Sequence, residues 1–275
     1  MVWNFGLIEV IPQPYRNTYE GVTNAFDFII EHSKRRLKEW LTPSDMTKAK
    51  YFRNFMDFIK DNCQLHIFTL SYDNCVEHSL SEVVGPINKE WTNGFDEKGW
   101  NPDKLKNKRK KFKAILYKLH GSLDWVNDEE LGLCSVKWPE ATRAAEIPEN
   151  YESLLIFGTA MKVIPSDPYL TLLVRFREML FRCHCIVIVG YGFGDEHINT
   201  ILLDILRFRS GLHCIIANST KEVDDLSFLP EGFSQQIARD RFHIVAGIGA
   251  REAFESNRLL KTVKQIREYK EESPF

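Results

Sequence analysis

The sequence is short of net charge. It carries 36 Lys and Arg against 38 Asp and Glu, a formal net charge of -2, which excludes a globally basic nucleic-acid coat. It lacks CxxC pairs: Cys63, Cys75, Cys134, Cys183, Cys185 and Cys214 stand without such spacing. A disulfide framework and a zinc ribbon are therefore excluded, and a reducing, cytoplasmic setting is expected. The run Cys183-His184-Cys185 has metal-ligand residue types, but Cys185 opens a strand that would bury it, so no metal is expected. Long apolar stretches are missing too. The longest runs about five residues, far below the ~20 of a membrane span. Met1-Val2-Trp3-Asn4 lacks the basic and apolar regions of a signal peptide. There is no internal repeat, and no strand with a glycine turn near the start.

What is present is a composition that folds. Hydrophobic residues are 44% and aromatics 12% of 275 residues, enough apolar surface to offset chain entropy. Residues 1–20 read as an extended apolar stretch, Phe5 to Ile11, ended by Pro12 and Pro14. Residues 21–41 carry Val22, Phe26, Ile29, Ile30, Leu37 and Trp40 near helical spacing, and a second helix is predicted from about Ser44 to Asp61. Short apolar runs then alternate with helical patterns. Strands are predicted at 65–70, 115–119, 154–157, 185–189, 212–217 and 242–246, and helices from about 73, over 169–182, from 195 to 208 and within 250–270. Residues 84–111 and 126–150 read as irregular, the first ending in the basic run Lys104, Lys106, Lys108, Arg109, Lys110, Lys111, Lys113. Alternating strands and helices predict an α/β fold with a parallel, doubly wound sheet. Ligands of such sheets bind beyond the carboxyl ends of the strands.

Four predicted strand ends are chemically loaded: Thr69-Leu70-Ser71-Tyr72-Asp73, His120-Gly121-Ser122, Gly190-Tyr191-Gly192-Phe193-Gly194-Asp195, and Asn218-Ser219-Thr220. Asp73 fits a helix N-cap as well as a ligand contact. His120 is the side chain suited to move a proton near neutral pH. The glycines at 190, 192 and 194 allow a tight turn or close approach to a ligand, and the helix start after them would favour an anion. Their G-x-G-x-G spacing is not the dinucleotide fingerprint.

Together these segments resemble a known family. Tyr117-Lys118-Leu119-His120-Gly121-Ser122-Leu123-Asp124-Trp125 and Val189-Gly190-Tyr191-Gly192-Phe193-Gly194-Asp195-Glu196-His197-Ile198-Asn199 resemble two signatures of the sirtuin-like NAD hydrolases of bacterial anti-phage defence. Ile156-Phe157-Gly158-Thr159 with Lys162, Pro168-Tyr169, and Phe68 to Asp73 with Glu77 fit the same pattern, over roughly residues 60–255. The resemblance implies a three-layer Rossmann-like parallel sheet, with residues 1–62 an N-terminal helical segment and 63–275 one sirtuin-like unit. It implies NAD as substrate and cleavage of its nicotinamide–ribose bond, with oxocarbenium-like charge on the ribose stabilised by a positioned base and dipoles. His120 and Ser71 become the catalytic candidates. Thr69, Asp73, Gly121, Gly190, Gly192, Phe193, Asp195 and Asn218 become the candidates for binding NAD. A homo-oligomer and a HerA-type ATPase or translocase partner are implied as well, the closing Pro274-Phe275 being shared with the subunit that partners such a translocase. The aromatic-rich N-terminal helices, with Phe26, Phe28, Trp40, Phe52, Phe55 and Phe58, have more apolar positions than one packing face needs.

The chain departs from the pattern twice. Ser71 stands where the family has Asn, with a shorter reach and no amide donor. No Gly-Ala-Gly-x-Ser phosphate loop precedes residue 60, so the first strand and the pyrophosphate cradle are expected to be missing. Two further readings follow: a catalytically impaired subunit that binds NAD or ADP-ribose or serves in assembly, and a nucleic-acid adaptor acting through the basic run at 104–113.

Overall fold

A computed structural model describes residues 46–56, 64–106, 111–128, 132–136, 167–217, 241–245 and 247–272, with the single positions 32, 36, 40, 41, 130, 155, 229, 230, 232 and 233. The apolar runs form strands β1 (Leu65–Thr69), β2 (Trp91–Thr92), β3 (Phe95–Asp96), β4 (Gly99–Trp100), β5 (Ala114–Lys118), β6 (Trp125–Asp128), β7 (Gly132–Ser135), β8 (Cys185–Val189), β9 (His213–Ala217) and β10 (Phe242–Val245). The helices are α1 (Arg53–Met56), α2 (Cys75–Val83), α3 (Tyr169–Arg182), α4 (Glu196–Phe208), α5 (Ala250–Glu255) and α6 (Arg258–Glu272).

The parallel sheet expected from the alternation is present in two parts. One part has the order β1-β5-β2, with Leu65 opposite Ala114 and Thr69 opposite Lys118. The other has the order β10-β9-β8, with Cys185 opposite His213 and Val189 opposite Ala217. Among the described residues, no strand pairs with the second edge of β1 or of β8, and both strands are half-buried along their length.

Layering follows from the two-residue period of a strand. Ile115, Tyr117 and Leu119 face a core with Leu172, Phe176 and Leu180 of α3 and Ile198, Leu202 and Leu206 of α4. Ala114 and Leu116 face the opposite way, onto Val76 and Leu80 of α2. In β9, Cys214 and Ile216 join the first core, while Ile215 and Ala217 meet Ala253 of α5 and Leu259 and Ile266 of α6. Helices thus cover both faces of the strands, which is the three-layer α/β arrangement. Each fully buried Leu or Ile in these clusters contributes roughly 1.5–3 kcal/mol relative to exposure.

Several segments differ from the sequence expectations. Residues 84–106 are not irregular: β2 extends the first sheet, and β3 and β4 form an antiparallel pair. Two-residue strands are too short to display a period. Within 126–150, the described part is a hairpin, β6 with β7, in which Asn127 pairs with Leu133. Its outward side chains are polar, so it reads as a loop. The predicted second helix opens as a 3-10 helix, Met46–Phe52, before α1. Three residues per turn stack Ala49 over Phe52, and these pack on α2, where Ser79 Oγ donates to the Ala49 carbonyl at 3.0 Å, and on Phe254 of α5. Of the predicted strand 154–157, only Leu155 is among the described residues, as an antiparallel bridge to Gly121. Trp40 is exposed, and Phe26, Phe28, Lys108, Arg109 and Lys110 lie outside the described residues, as does the apolar stretch Phe5 to Ile11.

Candidate functional site

The site is built where β1, β5 and β8 end. β5 runs into Leu119-His120-Gly121, and Gly121 has φ +89°, a left-handed turn that turns the chain immediately after the imidazole. β8 runs into Gly190, φ +66°, where an added Cβ would touch Ala250 at 3.7 Å. The turn ends at Asp195, the N-cap of α4. Its Oδ1 accepts from the backbone amides of His197 (3.0 Å) and Ile198 (3.2 Å). Its Oδ2 lies 2.8 Å from His120 Nε2. One buried carboxylate therefore caps a helix and orients the candidate base, joining the two motif turns.

Tyr72 and Tyr191 lie beside this pair, with Tyr191 Oη 3.1 Å from the Asp195 carbonyl. Tyr72 lies with its ring centroid 6.5 Å from that of His120. Tyr191 Oη donates to Asn199 Oδ1 at 2.7 Å, and Asn199 Nδ2 donates to the Phe193 carbonyl at 2.7 Å, which locks the glycine turn onto α4. Burial, with the Asp195 charge, pushes the Tyr191 phenol up to about 12 and raises that of Tyr72, so both are neutral hydroxyls at physiological pH.

The β1 end forms its own network. Thr69 Oγ1 accepts from the Ser71 amide at 3.0 Å, and Ser71 Oγ, on an exposed residue, donates to Asp73 Oδ2. Asp73 Oδ1 accepts from the Cys75 amide at 2.9 Å at the start of α2. Burial opposes ionisation of Asp73, but the hydrogen bonds from Ser71 and Cys75 and the Lys118 charge outweigh it and hold the carboxyl below the usual range. Burial and the neighbouring Asp73 push the Cys75 thiol up to about 12, so it is no thiolate nucleophile.

The structure thus brings His120, Gly121 and Asp195 together, places Tyr72 beside them, and groups Thr69, Ser71 and Asp73 at the next strand end. Gly190 and Gly192 lie in the turn before Asp195, and a Cβ on Gly192 would meet open space. The Phe193 side chain is buried in the main core against Tyr191 and Phe233, so only its backbone faces the turn. Asn218 lies outside the described residues.

The start of α4 is expected to favour an anion; Asp195 takes the amides of His197 and Ile198 there, and Glu196 adds a second negative charge. A diphosphate would be repelled at that point. Asp195, expected to contact the cofactor, has its carboxylate oxygens on the cap of α4 and against His120. Sequence reasoning also missed Lys118 and the Tyr191–Asn199 link; the cap is foreshadowed by an Asp directly before an apolar helical pattern. Among the described residues, no group of three or more His, Cys, Asp or Glu side chains could hold a metal ion. None of the described helices is long and apolar enough to cross a membrane.

Parallel strands with helices on both faces, and polar turns gathered at the strand ends, define a Rossmann-like α/β protein. The family model for the SIR2-like domain matches residues 65–234, and the chain belongs to that family. SIR2-like domains bind NAD. No curated protein matches the chain.

Proposed function

We propose that the protein hydrolyses NAD at the nicotinamide–ribose bond, with His120 as the base. The observation that carries this is the 2.8 Å pairing of His120 Nε2 with Asp195 Oδ2 at two strand ends of a SIR2-like domain. Nε2–H is donated to the carboxylate, so the imidazole lone pair is on Nδ1. That nitrogen takes a proton from water or from a ribose hydroxyl, and Asp195 stabilises the imidazolium that results. NAD supplies the scissile bond, and Asp73, held ionised, presents negative charge on the side where positive charge develops on the ribose. Gly190 and Gly192 give the adenosine end room along the turn after β8.

Incubation of the full chain with NAD, followed by chromatography of nicotinamide, tests this. Release above the spontaneous rate is expected; none, even after addition of the partner proposed below, overturns it. Ser71→Asn restores an amide beside Asp73 and is expected to raise turnover several-fold.

A second reading is favoured by Ser71, which lacks the amide of the family's Asn: a subunit that binds ADP-ribose and does not turn NAD over. Calorimetric binding of ADP-ribose without nicotinamide release would support it. The motif resemblance to the defence branch supports NAD depletion during infection as the setting, with a homo-oligomer and a HerA-type translocase as partner.

A further inference from the structure

Lys118 ends β5 on the face that Ala114 and Leu116 turn toward α2, a position whose parity calls for an apolar side chain. Its side chain is 0% exposed. The three protons of Nζ are shared among four acceptors: the carbonyls of Tyr72 (3.2 Å) and Asp73 (2.5 Å), Asn74 Oδ1 (3.1 Å) and Glu77 Oε1 (2.8 Å). Three of these acceptors belong to consecutive residues of one loop. From the other side of the His120 turn, the Leu123 amide donates to the Tyr72 carbonyl at 3.1 Å and Ser122 Oγ to Asn74 Oδ1 at 3.2 Å. Ser122 is held in turn by Asp124, which also accepts from Ser135 of the hairpin.

Stability alone does not account for this arrangement. Replacing a buried ion pair by apolar residues of similar volume is often neutral or stabilising. The Glu77 carboxyl, pushed up by burial against the pull of Lys118, also leaves Oε2 buried without a partner. The geometry instead specifies where the loop sits. We propose that Lys118, with Glu77 as its counter-charge, is a positioning residue: it clamps the Tyr72-Asp73-Asn74 loop to the strand that delivers His120, setting the Asp73 carboxylate and the Tyr72 ring relative to the imidazole. This rests on the reading of the site as an NAD pocket.

The test compares the full chain with Lys118→Met and with Lys118→Met/Glu77→Met. The single variant strands a buried carboxylate and melts well below wild type. The double variant removes both charges and regains most of that melting temperature. Nicotinamide release by the double variant at saturating NAD is expected to stay at least ten-fold below wild type, with KM within about three-fold. Its amide exchange at Cys75 and Leu123, whose partners are Asp73 and Tyr72, is expected to be at least ten-fold faster, with β9 unchanged. A double variant with wild-type turnover, or with wild-type exchange at those amides, overturns the proposal. Should the wild-type chain release no nicotinamide, the hydrolase reading fails by itself, and the exchange rates alone then decide the clamp.

Discussion

Asp195→Asn is expected to lower nicotinamide release by roughly two to four orders of magnitude while the protein stays folded. Asn is as good an N-cap as Asp, so the bonds from the His197 and Ile198 amides survive. Those bonds need an oxygen, which leaves the amide nitrogen facing His120. A donor there forces Nε2 to accept, and the imidazole proton moves to Nδ1, the atom that must be free to take one. The variant therefore keeps the geometry and inverts the tautomer. His120→Ala removes the base and is expected to abolish release altogether. Asp195→Ala is less informative, because losing the cap costs about 1 kcal/mol in addition. Steady-state rates with a melting curve for each variant decide the matter. Near-normal turnover by Asp195→Asn would remove the carboxylate from the mechanism.

The parts of this fold legible in the sequence are those with long, regular patterns. Helix α3 and strand β8 coincide with the predicted 169–182 and 185–189, since Leu172, Phe176 and Leu180 keep helical spacing and Cys185 to Val189 form a continuous apolar run. The hairpin β6–β7 and the two-residue strands were not legible, because their pairing is fixed by contacts outside them: Trp125 packs with Phe95 and Trp100, from segments that show no period of their own. The site was legible as a set of strand ends and not as a set of contacts. His120 and Asp195 each stand out in a motif, but which strand ends are neighbours depends on sheet order, which no local pattern encodes. Lys118 is the sharper case. A lysine in an apolar run reads as an edge position reaching solvent, and only the register, with Leu116 on the same face and Glu77 opposite on α2, shows that it points inward.

Acid is expected to destabilise the protein through His66. This residue lies on β1, with Nδ1 3.0 Å from Tyr117 Oη and the two rings stacked. Tyr117 has its phenol raised by burial and remains the donor, so His66 serves as a neutral acceptor. Burial, with Arg182 nearby, lowers the His66 pKa from 6.5 to about 4. The unfolded chain then binds a proton in the window between those values that the folded chain does not. Stability is full above about 6.5 and falls as pH drops toward about 4. The loss is about 2–3 kcal/mol, after allowance for the partial exposure of β1. His66→Gln keeps an acceptor for Tyr117 and removes the titration. Urea midpoints measured from pH 7.5 to 4.5 should therefore fall less steeply in the variant, by that amount at the acid end, since every carboxylate contributes equally to both proteins. Parallel curves would show that His66 titrates alike in the folded and unfolded states. The consequence reaches the site: Thr69 ends this strand and begins the network to Ser71 and Asp73, so weakening β1 in acid bears on one wall of the pocket.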